Sequence, residues 1–367
     1  MACTAAFVLF AAAIRAHASD EPLAHEPYEL SAQSPFPGAD WTRVEPATLG
    51  FSREGIDRAV AYALRLGSTS GMIIEHGAVV AEWGDVSRKS NLHSVRKSFV
   101  SALIGIAVAK GQIKLDETLQ QLGIDDNEPS LTPLEEQASI RMLLKARSGV
   151  YHPTVYETPG MMASKPPRYS HAPDTFWYYN NWDFNTVGAI YEKATNQHIF
   201  DALKTEIANP IGMQDYEPSD GQYVSGEPAT RYPAYPINMS ARDLARFALL
   251  YLHHGRWRNG QIVPEDWVAE STSSYSNTST GGYGYMWWTS TPASGLRTAT
   301  MALVRPTYWA EGSHGQFAVV VPSLDLVVVN MVDDRLTSRN MHQYDMEELV
   351  WLTESAQGAT DIGREPR

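Results

Sequence analysis

Hydrophobic and polar positions divide the chain into three zones. Near 53–66, REGIDRAVAYALRL repeats apolar residues at helical spacing and predicts a helix. Two runs follow, GMIIEHG and AVVAEWGD, and their β-branched residues on either side of a turn near Gly77 predict a strand pair. From Ser94 to about His254 the period is mostly helical. In SFVSALIGIAVAKG, Phe99, Leu103, Ile104, Ile106 and Ala107 recur at helix spacing, and Gly111 is placed to close the end. A further helix is expected from about Trp182, with Phe184, Val187, Ile190 and Tyr191 on its apolar face, after a long loop (149–181) rich in Tyr, Pro and Met. Strand patterns return from about 260 to 335. There FAVVVPSLDLVVVNMV reads as two β-branched runs divided by Pro322-Ser323-Leu324-Asp325, a hairpin signature. A last helix is expected near 343–356. Strands at both ends with helices between predict an α+β fold, an antiparallel sheet flanked by helices with an inserted all-α subdomain.

Composition narrows the class. With 367 residues and 43% hydrophobic content, the chain can bury a full core. A net charge of −13 without a Lys/Arg run argues against nucleic acid as a partner. The only cysteine, Cys3, lies in MACTAAFVLFAAAIRAHASDEP, where an apolar run from Ala5 to Ile14 and Ala16-His17-Ala18 read as a signal peptide over 1–18. The expectation is a periplasmic or secreted protein with no membrane anchor after cleavage. Residues 19–50 form a Pro-rich lead-in, 51–355 the main domain, and 356–367 a tail. Within the domain, about 51–92 and 258–355 make the α/β part and about 93–257 the helical part.

Candidate chemistry starts at Ser94-Val95-Arg96-Lys97. A Ser with a Lys three positions on places hydroxyl and amine on one helix face, and a Lys forced neutral can take the hydroxyl proton. The bland alternative is a capping Ser and a solvated Lys. Tyr179-Asn180-Asn181, at a loop leading into a helix, can aim a phenol and an amide at that pair. Tyr178 also has an Asn two residues on, so the register is open by one. Tyr275-Ser276-Asn277 repeats the pattern inside SSYSNTSTGG, which reads as a mobile surface loop. Gly312-Ser313-His314-Gly315-Gln316 precedes a strand and would let substrate backbone approach closely. Read alone, His314 is an exposed strand-end histidine. No Gly-x-Ser-x-Gly, His-Glu-x-x-His or phosphate-binding Gly-x-x-x-x-Gly-Lys occurs. Asp125-Asp126 and Asp333-Asp334 read as turn residues with no second cluster to complete a metal site, and His253-His254 as a helix end before Gly255. Trp177, Tyr178, Trp182, Trp287, Trp288 and Trp309 near these motifs point to an aromatic cleft, with core packing accounting for about half of the chain's aromatics.

Ser94-x-x-Lys97, Tyr179-x-Asn181 and Ser313-His314-Gly315, in that order, resemble the serine β-lactamase and penicillin-binding-protein superfamily. Within it the resemblance is to the class C branch, which also holds DD-peptidases, carboxylesterases and 6-aminohexanoate-dimer hydrolases. IRMLLKARSGV resembles the helix leading to the family's Leu-Leu-x-x-x-Ser-Gly turn, and ATRYPAYPINMSARDLARFALLYLHHGRW its post-catalytic helix. The likeness runs from Phe51 to about Leu352. It implies a β-lactamase/transpeptidase-like fold with a cleft between sheet and helical part, and no metal or organic cofactor. The family's spacing to Gly188 selects Tyr179 over Tyr178.

The resemblance further implies that Ser94 attacks, that Lys97 and Tyr179 move the proton, and that Asn181 holds the acyl side chain. The backbone N–H groups of Ser94 and Gln316 would polarise the carbonyl. Penicillin-recognising members carry Lys-Thr-Gly where this chain has Ser313, His314 and Gly315, so the expected substrate is a small ester or linear amide without a carboxylate. Arg305 is the nearby cation in sequence that could substitute. The alternatives are a DD-carboxypeptidase or β-lactamase, and a catalytically inactive binding protein on the same fold.

Overall fold

The computed structural model describes residues 36–292 and 305–358. The expected signal peptide, the first part of the lead-in and nearly all of the expected tail lie outside them. Helix α1 (Arg53–Arg65) starts where the Ser52 side chain accepts from the Gly55 amide. It leads to β1 (Ser70–Glu75) and β2 (Ala78–Gly84), then α2 (Arg96–Ala109). The helical stretch continues through α3 (Ile140–Leu144), α4 (Asn181–Thr195) and α5 (Ala241–Leu252). Six more sheet strands follow: β3 (Ser276–Asn277), β4 (Gly282–Tyr283), β5 (Trp288–Thr289), β6 (Tyr308–Gly312), β7 (Gln316–Val321) and β8 (Leu326–Met331). The final helix is α6 (Gln343–Ala356).

The eight strands make one antiparallel sheet in the order β2-β1-β8-β7-β6-β5-β4-β3. Its two chain ends meet at β1 and β8, where Ser70 pairs with Met331 and Glu75 with Leu326. Side chains alternate between faces along a strand. Phe317, Val319, Val321 and Val328 therefore pack with Ile56, Ala59, Leu349 and Val350 under α1 and α6. Ala318, Val320, Val327 and Val329 pack instead with Phe99, Leu103, Leu244 and Phe247 of α2 and α5. Both faces are covered, which is why β7 and β8 read as continuous apolar runs rather than alternating ones. At the α1–α6 crossing a Cβ on Gly55 would stand 2.6 Å from the Ala356 Cβ, so the two helices touch through their backbones.

The turn near Gly77 and the Pro322–Leu324 turn form as expected, the latter closed by Asp325 in a left-handed conformation (φ 50°). Helix α2 ends at Ala109 with Gly111 at φ 70°, and His253 caps α5 ahead of Gly255. Three expectations change. The 149–181 loop contains a short helix, Pro159–Ser164, begun by the Thr158 side chain accepting from the Met161 amide. The zone of expected strands after 260 holds a helix, Glu265–Ser271, because Trp267 and Val268 are drawn into the core, with Trp267 against Gly105 of α2. Tyr275-Ser276-Asn277 is the sheet's edge rather than a mobile loop: Ser276 pairs with Tyr283, and the Tyr275 ring stacks on Tyr285 at 4.9 Å.

Candidate active site

Helix α2 is buried on nearly every side, unlike a surface helix with one apolar stripe. It enters from a single 3-10 turn (His93–Val95), so Ser94 lies at its mouth and Lys97 in its first turn. The Lys97 Nζ stands 2.7 Å from Ser94 Oγ and 2.9 Å from Tyr179 Oη. The amine also sits 4.7 Å from the Tyr179 ring centre and 4.9 Å from that of Phe184. Residues 82 positions apart thus meet because α4 packs against α2. Trp288 stacks on Tyr179 at 5.6 Å and Tyr283 meets it edge-on at 6.0 Å, completing an aromatic wall.

Burial controls the proton states. Lys97 is only 2% exposed, and its amine is held well below its ordinary value by desolvation first and by the Arg96 charge second. Tyr179 is pushed up to about 12, with burial outweighing the opposing contributions of Ser94 and Arg96. A buried amine with a weakened hold on its proton thus stands within hydrogen-bond distance of two hydroxyl groups, placed to exchange protons with either.

The register between the adjacent tyrosines is set by what each asparagine does. Tyr178 turns away: its hydroxyl donates to the Met161 carbonyl and its ring meets Tyr151 edge-on. Asn180 is the cap of α4, accepting from the Trp182 amide and donating to the Val150 carbonyl and Asp183. Asp183 also accepts from Ser148, so the Ser148-Gly149 turn and the Tyr179 loop are tied together. Asn181 donates to the Tyr156 carbonyl at 2.7 Å, while its own side-chain oxygen is buried with no hydrogen-bond partner. One acceptor on Asn181 is therefore left without a protein partner. Gly188 does pack closely, since a Cβ there would meet Tyr235 at 2.7 Å.

The third motif is the tip of a hairpin, with Gly312 paired to Gln316 across β6 and β7. A Cβ on Gly312 would come within 2.4 Å of the Leu92 carbonyl and 3.0 Å of the Ser94 amide, so only glycine lets this strand touch the turn that carries Ser94. Ser313 and His314 are exposed. Gln316 directs its side chain inward, donating to and accepting from Val332, which leaves only its backbone for the site.

Several sequence readings need correction here. Arg305, the cation nearby in sequence that could replace the third motif's lysine, precedes the far end of β6 and acts on Glu354 of α6. The cation that does act on Lys97 is Arg96, buried within the first motif over the rings of Tyr235 (5.2 Å) and Tyr156 (5.6 Å) and donating to the His93 carbonyl. Its adjacency to Lys97 was visible in the sequence, but a charged residue on a helix reads as solvated until the helix is known to be central. Of the six aromatics proposed for the cleft, Trp177 and Trp288 join the wall around Tyr179. Trp182 is buried and donates to Asp126, Trp287 packs on Tyr251, and Trp309 faces the opposite side of the sheet. Asp126 is more than a turn residue, for its buried carboxylate accepts from Trp182, Thr230 and the Arg231 amide. Asp334 also differs, since its carboxylate lies 3.5 Å from His93.

The beta-lactamase family profile matches residues 57–348, and the chain belongs to that family. A candidate 6-aminohexanoate-dimer hydrolase from Bacillus anthracis shares the fold at a TM-score of 0.63 and 17% identity, over 94% of this chain and 92% of that one. A class C beta-lactamase aligns at 0.60 and 15% identity, over 88% and 99%. A D-stereospecific amidohydrolase from Streptomyces sp. aligns at 0.52 and 18% identity, over 76% and 94%. No curated protein matches. The expected α+β, β-lactamase/transpeptidase-like fold is thereby established.

Proposed function

We propose that the chain is a serine hydrolase that works through an acyl-enzyme on small esters or linear amides lacking a carboxylate. The observation that carries this is the buried Lys97 amine set between the Ser94 and Tyr179 hydroxyls. Ser94 Oγ attacks the substrate carbonyl carbon and its proton passes to Lys97. Tyr179 gives its proton to the departing alcohol or amine and is reprotonated from Lys97. Water then attacks the acyl carbon as the same groups take its proton and return one to Ser94. The backbone N–H groups of Ser94 and Gln316 bind the oxyanion, and the open Asn181 oxygen accepts from the acyl portion.

Substrate class follows from charge. The 313–315 turn presents no permanent cation, and a carboxylate brought there would lose water without an ionic partner. This favours uncharged substrates over β-lactams or D-Ala-D-Ala peptides. An inactive binding protein would not require a buried lysine held at hydrogen-bond distance from a serine. Labelling by a fluorophosphonate, lost in Ser94→Ala, tests the hydrolase reading. A panel of p-nitrophenyl esters, nitrocefin, D-Ala-D-Ala peptides and linear oligoamides tests the substrate class. Export to the periplasm or medium belongs to the same proposal and rests on the apolar N-terminal segment.

A further inference from the structure

Directly beside Ser94, three side chains from distant parts of the chain converge: His93 from the nucleophile turn, His314 from the β6–β7 hairpin tip, and Asp334 from the segment after β8. Their ligand atoms all lie within 4.8 Å of one another. We propose that they form a binding site for a divalent metal of the zinc class, with two imidazole nitrogens, one carboxylate oxygen and a fourth position open to water or an external donor.

Zinc takes tetrahedral nitrogen and oxygen ligands at about 2.0–2.2 Å, which sets neighbouring ligand atoms roughly 3.4 Å apart. His93 Nε2 and Asp334 Oδ2 already stand at 3.5 Å. His93 Nε2 is buried and this long contact is a poor hydrogen bond, so a metal between the two groups would satisfy it better. The His314 ring centre is 4.8 Å from that of His93. His314 is exposed, so side-chain rotation can bring its nitrogen to the same point. Both histidines hold left-handed backbone conformations, φ 48° at His93 and φ 69° at His314, uncommon for any residue but glycine. The neighbouring Asp333 is occupied elsewhere, paired with Arg335 at 2.8 Å, which leaves Asp334 to face the histidines. Three protein ligands and one open position is the arrangement of exchangeable rather than structural zinc sites.

The full chain would be titrated with Zn²⁺ against a chromophoric chelator at neutral pH, and with Co²⁺ to read the visible bands of a four-coordinate ion. One equivalent should bind, and His314→Ala and Asp334→Asn should each weaken it by at least about tenfold. Both substitutions are at exposed positions, so folding should survive, which a melting curve checks. Ser94→Ala should bind metal like the wild type, which keeps this result separate from the hydrolase proposal. Absence of stoichiometric binding, or both variants binding as tightly as the wild type, would overturn the site.

Discussion

On one side of the site, Ser94, Lys97 and Tyr179 sit where a buried helix, a capped helix and an aromatic wall fix every neighbour. On the other, Ser313 and His314 at the hairpin tip are exposed and carry no permanent charge, and the hairpin meets the first side through Gly312 and through His314 beside His93. The buried side tunes proton affinities by excluding water, which polar surroundings would undo. The exposed side keeps room for a ligand and leaves recognition to whatever charge or metal it holds. Under the proposed function, proton transfer and substrate choice are therefore built by opposite means and should respond differently to mutation.

The largest expected effect lies on the buried side. Ser94→Ala should lower kcat by on the order of 10⁴-fold or more with an unchanged melting temperature. Near-wild-type turnover would remove the nucleophile from this position. Next, Tyr179→Phe should cost about 10²–10⁴-fold in kcat, whereas Tyr178→Phe and Tyr275→Phe should cost less than about tenfold. A crippled Tyr178→Phe enzyme would contradict the contacts that turn Tyr178 toward Met161.

A smaller effect tests the exposed side. Short esters or uncharged amides should exceed nitrocefin by at least about tenfold in kcat/KM, about 1.4 kcal/mol of transition-state binding. Replacing Ser313 by Lys and His314 by Thr together should narrow that gap. Faster turnover of nitrocefin than of p-nitrophenyl acetate would reverse the comparison.

Two pH effects are smaller still. The rate should rise as Lys97 loses its proton, at a pH well under that of an ordinary lysine, and Arg96→Met should move this limb upward because one lowering charge is gone. An unmoved limb would show that Arg96 does not act on Lys97. In the sheet, burial pushes Glu75 and Glu311 up to about 7. A carboxyl whose folded value is raised favours folding below its unfolded value, near 4.5, and loses that contribution as pH rises through about 7. Melting temperature should accordingly fall from about pH 5 to 8, and Glu75→Gln with Glu311→Gln should flatten the curve. Identical curves for both proteins would refute this.

Sequence order and local pattern were enough for the elements that carry strong periodicity. Helix α6, β1, β2 and the β7–β8 hairpin were read from apolar runs and turn residues, because burial on both faces or one leaves a period in the chain. The Ser94/Lys97 pair was legible because helix geometry alone fixes residues three apart. The choice of Tyr179 over Tyr178 came from the resemblance alone, through the spacing to Gly188, since a one-residue shift changes direction without changing composition. The fates of Trp182, Trp309 and Arg96 were equally hidden, for a residue's type does not say which side of a helix or sheet will be covered.

By itself, then, the sequence determined the main strands and helices and their order, the three motifs and the class of fold they resemble. Tertiary packing alone decided that Lys97 is desolvated, that Arg96 is buried with it, and that His93, His314 and Asp334 meet. The reason is physical: local pattern follows from the backbone's fixed periodicities, whereas proton affinity and side-chain convergence depend on which distant segments exclude water around a group.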